Sequence, residues 1–203
     1  PKTVLLMMLL KLILPPTRLA LIGTQPHGGK LLLALLRLLR PDFIFSQSAW
    51  WHKRFLGVAG CTRLLANGVD TEKFRPTNDP QQRLETRARY GFAPDDRLIM
   101  HAGPINLNRN LELLLDLCRS SDWKVLVIGS TTESYVPELA EKLCKGGVKL
   151  INEYIPNIDR VYGMADAYVF PVMDPGGSIE VPLTVLEAMS CDTPVVTTRF
   201  RGL

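Results

Sequence analysis

The sequence predicts an α/β protein built on a parallel, doubly wound sheet, and three observations carry that prediction. Short, near-continuous apolar runs recur, among them RLALIGT at 18–24, RLIMHA at 97–102, WKVLVIG at 123–129, AYVFPV at 167–172 and PVVTT at 194–198. Helix-length amphipathic stretches separate them. Strands without polar alternation belong to a sheet covered on both faces, and their alternation with helices is the β-α-β pattern. The 203 residues are 46% hydrophobic and 22% charged, which suits one or two globular domains and excludes a disordered or collagen-like chain. Five strands in the second half are too few for an eight-stranded barrel, so an open sheet is expected.

Taken in order, the chain opens with VLLMMLL at 4–10, interrupted by Lys11 and closed by Pro15-Pro16. This run falls short of the ~20 apolar residues of a membrane span and lacks a small-residue cleavage site. A buried helix is expected there. A membrane-surface helix fits less well, because no charged face is visible. A strand at 18–24, a Gly28-Gly29 break, a helix at 30–40 and a strand at 43–46 make one β-α-β unit. Residues 67–94 are polar, carry Pro76, Pro80 and Pro94, and hold a helix at 81–90; they read as a junction between domains spanning 1–75 and 76–203. Beyond it come helices at 108–118, 135–144, 158–164 and 182–190, with a further strand at 148–151. Both ends look cut, since the chain opens on Pro1 and stops at Leu203 just after an apolar run. It reads as a piece of a longer protein.

Cys61, Cys118, Cys144 and Cys191 form no C-x-x-C pair and have no His at metal spacing, so free thiols in a reducing, cytoplasmic compartment are expected. The net charge of +4 is compatible with anionic lipid or an acidic substrate without demonstrating either. No basic run interleaves with aromatics, which disfavours nucleic acid as a partner. No G-x-G-x-x-G follows a strand, which disfavours an NAD enzyme.

Ligands of open parallel sheets bind beyond the carboxyl ends of the strands, and three such places stand out. After the strand at 97–102, Gly103 lets a ligand approach the backbone, and Arg109 is placed at the start of the next helix. A cation there opposes the helix dipole, and an external anion would resolve the conflict; an exposed Arg in a turn is the plainer alternative. The Gly176-Gly177 loop enters a helix at Pro182, whose first free amides, Leu183 and Thr184, suit a phosphate or sugar hydroxyl. Glu187 sits among Leu186, Ala188 and Met189, where a carboxylate needs a partner unless it faces solvent; two ribose hydroxyls would serve. Asn67-Gly68 marks a turn. His27, between Pro26 and Gly28, is either catalytic or structural. Trp50-Trp51 reads as packing, and His52 and His101 receive no role.

Taken together these segments resemble family 4 glycosyltransferases. Asn67-Gly68-Val69-Asp70 with Phe74 and Pro76 resembles the family's N-G-V-D-x3-F-x-P segment. Residues 103–110 resemble its glycine loop, and LTVLEAMSCDTPVV at 183–196 resembles its G-L-x3-E-A-M-A-x-G-x-P-V-V signature. The resemblance implies two facing Rossmann-like domains and retaining transfer from a nucleoside-diphosphate sugar. It implies no cofactor and no bound metal. It leaves the acceptor open among lipid, glycan and small molecule, with a contact at the inner face of a membrane in view. Residue by residue, Glu187 matches the Glu that holds the ribose, and Arg109 falls on the Lys that binds the diphosphate. Gly103 belongs to the glycine loop, and Leu183 and Thr184 match the amides that meet phosphate or sugar. Tyr154 and Ile155 fall where the base is cradled. His27 matches a His near the transferred sugar. Glu180 stands one residue late for the family's first acidic residue, whose position is Ile179. Pro104 replaces the family's second cation, and these departures keep a catalytically inactive nucleotide-sugar-binding module as the alternative.

Overall fold

A computed structural model describes residues 2–14, 17–24, 29–77, 79–120 and 122–203. They fall into two compact units, one of residues up to 67 with 179–181 and 202, the other of 68–178 with 182–201 and 203.

The first unit holds helices α1 (Lys2–Ile13), α2 (Lys30–Leu39) and α3 (Ala49–Phe55) and strands β1 (Ala20–Gly23), β2 (Phe43–Ser46) and β3 (Cys61–Leu64). The strands are parallel in the order β1-β2-β3. Leu32, Leu36 and Leu39 line the buried face of α2, which ends where Arg40 turns left-handed ahead of Pro41. Ser48 caps α3 by accepting a hydrogen bond from the Trp51 amide, and Trp51 stacks on Phe55 at 5.1 Å between ring centroids. Neither α3 nor β3 was expected, because a seven-residue helix has too few turns for a period and CTRL is not an apolar run. Trp50-Trp51 is packing only in half: Trp51 is buried, whereas Trp50 is 58% exposed under the Arg54 guanidinium. The expected buried helix at the start is a helix, but among its described side chains only Val4 is fully buried, and Leu5, Leu9, Leu12 and Ile13 are exposed. A helix apolar on every side can present only one stripe to the unit it packs on, chiefly α2.

The second unit comprises α4 (Pro80–Arg89), β4 (Arg97–Ala102), a 3-10 turn (Leu107–Arg109), α5 (Leu113–Ser120), β5 (Trp123–Ile128) and α6 (Pro137–Lys145). It continues through β6 (Lys149–Ile151), α7 (Ile158–Met164), β7 (Ala167–Phe170), α8 (Leu183–Ser190) and β8 (Val195–Thr197). All five strands are parallel, in the order β6-β5-β4-β7-β8. The sheet is covered on both faces, as expected. Leu98, Met100 and Ala102 of β4 join Tyr162, Met164, Val185 and Ala188 in one cluster, and Ile99 joins Leu114, Leu115, Leu139 and Leu143 in another. Arg87, buried on α4, ties the layers together. Its guanidinium donates to the carbonyls of Met164, Pro94 and Asp96 and to Asp166, which also accepts from the Leu98 amide.

The strand order reverses between β4 and β7, so the crevice beyond their carboxyl ends is the switch point where such sheets bind ligands. Three boundaries near it differ from the sequence expectation. Asn110 is left-handed at φ 54°, which stops the 3-10 turn and delays α5 to Leu113. β7 ends at Phe170, since Pro171 has no N–H to donate. Pro182 is the extended residue before α8 (ψ 125°) rather than its first helical residue.

Candidate functional site

Gly103 follows β4 directly, and its lack of a side chain is required. A Cβ there would stand 2.9 Å from Arg109 Nη1 and 3.3 Å from His101 Nε2. Arg109 closes the 3-10 turn and does not open a helix, so the expected conflict with a helix dipole is absent. What replaces it is burial. Arg109 is 7% exposed, its guanidinium lies 5.9 Å from the Phe170 ring centroid, and its Nε has no partner among the described residues. Burial lowers its pKa, while Tyr168 and Glu133 pull it back up. An arginine remains charged under such a shift, leaving an under-satisfied cation at the switch point.

A line of aromatic groups runs from this cation to α8. His101 is fully buried, its ring 6.0 Å from that of Tyr168, with Nδ1 2.9 Å from the Val169 carbonyl oxygen. Only a protonated Nδ1 can bond to a carbonyl, which leaves Nε2 as an acceptor, and no described residue satisfies it. Burial brings the His101 pKa down to about 4, Arg109 adding to the fall and the Val169 contact opposing it. The Tyr168 hydroxyl lies 3.2 Å from the Ala102 carbonyl oxygen and 2.8 Å from Thr184 Oγ1, and burial pushes its pKa up to about 12. Its ring is 5.7 Å from that of Tyr162, whose hydroxyl donates to Glu187 Oε2 at 2.8 Å. The Tyr162 pKa is raised well above its usual value, by burial first and then by Tyr168 and Glu187.

Four of the residues singled out in the sequence, Gly103, Arg109, Thr184 and Glu187, are therefore joined through contacts at one end of the sheet. Glu187 is half-buried on α8 and does have a partner, the Tyr162 phenol on one of its two oxygens. Leu183 begins α8, and no side chain caps that helix, so the first amides stay available. The glycine-rich loop leans on the same place, because a Cβ on Gly177 would come 2.4 Å from the Asn108 carbonyl oxygen.

The remaining candidates are not in this group. Tyr154, 76% exposed, and Ile155 line a cavity of about 250 Å³ with Gln82, Arg89, Asn157 and Arg160, and Ile155 also packs against the core cluster that holds Tyr162 and Tyr168. Glu180 is buried and belongs to the first unit, where its amide donates to the Thr24 carbonyl at 3.0 Å and its carbonyl accepts from the Gly202 amide at 3.2 Å. His27 lies outside the described residues. Asn67 donates to the Val181 carbonyl at 2.6 Å, and Asp70 Oδ1 accepts from the Glu72 and Lys73 amides, so this motif builds a turn that seats Phe74 in the core. Sequence reading missed His101, Tyr162 and Tyr168. The one signal for His101 was its place in a strand, next but one to Gly103.

The family model described as "Glycosyl transferases group 1" matches residues 82–203, more than half of the sequence. The chain belongs to the group 1 glycosyl transferases. It is similar to the putative glycosyltransferase EpsD of Bacillus subtilis, 31% identical over 143 residues, which cover 66% of this chain and 36% of that protein. It is also similar to the sulfoquinovosyl transferase SQD2 of Arabidopsis thaliana, 31% identical over 149 residues, covering 72% of this chain and 28% of that one. A solved structure of Anabaena Alr3699/HepE in complex with UDP and glucose superposes with a TM-score of 0.76 at 16% identity, covering 99% of this chain and 58% of that chain. That likeness is one of fold. This group 1 chain spans about a third of the length of the two curated relatives.

Proposed function

We propose that the second unit binds the nucleoside-diphosphate part of a sugar donor at the β4–β7 crevice, and that the whole protein transfers the sugar with retention of configuration. The observation that carries this reading is the buried Arg109 guanidinium with an unsatisfied Nε, beside a glycine, at the switch point of the sheet. An anion is the group that such a site lacks. In the proposed reaction the bond between the anomeric carbon and the diphosphate oxygen breaks, and the acceptor oxygen takes the carbon on the same face while its proton passes to the leaving diphosphate. Negative charge grows on the leaving diphosphate, where Arg109 and the Leu183 and Thr184 amides stabilise it more strongly than in the ground state. Glu187, held by Tyr162 through one oxygen, offers the other to the ribose hydroxyls, and Tyr154 and Ile155 flank the base. In this reading residues 76–203 form the donor side and residues 1–75 part of the acceptor side, and the family resemblance assigns His27 and Glu180 to the transferred sugar.

Titration of the full-length protein with UDP, GDP, ADP and their sugar conjugates tests the binding, and the anomeric configuration of the product tests retention. Binding without turnover on any acceptor would establish the inactive module instead, the reading that Pro104 and Ile179 favour. An inverted product would overturn retention.

A second observation bears on the acceptor. The first 67 residues carry nine basic residues and one acidic residue, whereas the remaining 136 carry a net charge of −4. That asymmetry, with Trp50 and the leucines of α1 exposed, suits an anionic membrane face. Co-sedimentation with phosphatidylglycerol vesicles, lost at high salt and absent with phosphatidylcholine, is the expected result. Equal binding to both lipids would dismiss it.

A further inference from the structure

We propose that His101 is a positioning residue for Arg109: its unprotonated Nε2 and the Arg109 guanidinium hold one shared O–H oxygen beside Gly103, which keeps the cation aimed into the β4–β7 crevice. This rests on the reading that Arg109 binds the donor diphosphate. The tautomer follows from the Val169 carbonyl at 2.9 Å, which only an Nδ1–H can meet. Nε2 is then a lone-pair acceptor on a side chain with no exposure, and Arg109 Nε is a buried donor; neither has a partner among the described residues. An unpaired buried acceptor raises the free energy of the fold, as does a buried guanidinium with one nitrogen unpaired, so an oxygen that joins Nε2 to that guanidinium is favoured. Position makes that sharing feasible. The point where a Gly103 Cβ would stand is 3.3 Å from Nε2 and 2.9 Å from Nη1, so the imidazole and the guanidinium close in on the same side of Gly103, an approach that a side chain there would block. An oxygen bearing a proton fits both demands, accepting from the guanidinium and donating to Nε2. A water molecule or a hydroxyl of the sugar donor has this chemistry. Imidazolium would not serve, since it offers no lone pair and repels the arginine.

The full-length protein is titrated calorimetrically with UDP, UDP-glucose and uridine, and with the guanosine series, for the parent, His101→Leu, His101→Gln, Arg109→Ala and the double variant His101→Leu/Arg109→Ala. His101→Leu is expected to weaken diphosphate binding about tenfold with little change for the nucleoside, and His101→Gln, whose amide oxygen can accept, to recover most of the loss. In the Arg109→Ala background the same substitution should have no further effect. Loss with UDP itself identifies water as the bridge; loss confined to the sugar conjugate identifies a donor hydroxyl. An equal loss for the nucleoside, or a loss that persists without Arg109, overturns the proposal and leaves His101 as core packing. The 15N spectrum of the imidazole is the second measurement and needs no ligand. It should show a protonated Nδ1 and an Nε2 resonance that moves in Arg109→Ala. A parent that binds no diphosphate refutes the donor-site reading, yet the Nε2 resonance still decides for or against the coupling to Arg109.

Discussion

Strands β4 and β1 are both parallel strands of small sheets, and they live in different surroundings. From Leu98 to Ala102 every residue of β4 is buried, and clusters pack on both faces of its sheet. In β1, Ala20 and Ile22 are exposed, and the described residues of the first unit form a single cluster around Ile44, Leu36, Trp51 and Phe55. A parallel sheet normally has both faces covered, so the second unit completes its own core and the first does not. The difference bears on where chemistry can be built. A buried, under-satisfied arginine such as Arg109 persists only where surrounding packing holds it in place, and the second unit supplies that packing. The first unit offers basic charge and exposed leucines, which suit a surface that meets something else.

The largest effect expected from this comparison is at Arg87. Removing a buried guanidinium that donates four hydrogen bonds orphans the Met164, Pro94 and Asp96 carbonyls and half of the Asp166 pairing, so Arg87→Ala should cost about 3–5 kcal/mol in urea unfolding. A loss below about 1 kcal/mol would mean that α4 is not integral to the second unit. Next comes acid. His101 is held at about 4 in the folded state against an ordinary value near 6.5, so the unfolded chain takes up the proton first. The contribution is intact above pH 6.5 and is lost as pH falls toward 4, amounting to about 3 kcal/mol. His101→Phe should flatten that part of the stability profile; an unchanged slope would break the assignment. At Glu187 the expectation is smaller. Glu187→Gln should weaken nucleoside-diphosphate binding about tenfold, roughly 1.4 kcal/mol, and less for a 2′,3′-dideoxy nucleotide. Equal affinity in parent and variant would make Glu187 only the partner of Tyr162. The smallest effect belongs to the first unit. Leu12 is 79% exposed, and Leu12→Gln should change stability by less than about 0.5 kcal/mol. A larger loss in the full-length protein would show that further chain covers α1.

Much of the second unit was legible because long apolar runs and leucine periods repeat faithfully there. β4 and β5 run from the residues expected, and α7 matches its expected span residue for residue. The first unit was read less well. α3 spans seven residues and β3 four without an apolar run, so neither carries a period strong enough to register. At the candidate site, Gly103, Arg109, Thr184 and Glu187 were singled out through motif spacing, yet the helix start given to Arg109 was misplaced. A helix start was inferred where Asn110 turns left-handed; asparagine tolerates that conformation better than most residues, but the leucine period that follows outweighed the signal.

By itself the sequence determined the fold class, the order of strands and helices in the second unit, and which loops border the crevice. These depend on local periodicity and on glycine and proline placement, which neighbouring residues specify. Tertiary structure alone decided that Tyr162 reaches Glu187 across 25 residues, that His101 meets Val169 across 68, and that Arg109 is buried. Burial and tautomer are properties of the neighbours a side chain acquires when distant strands pair. No single stretch of chain contains that information.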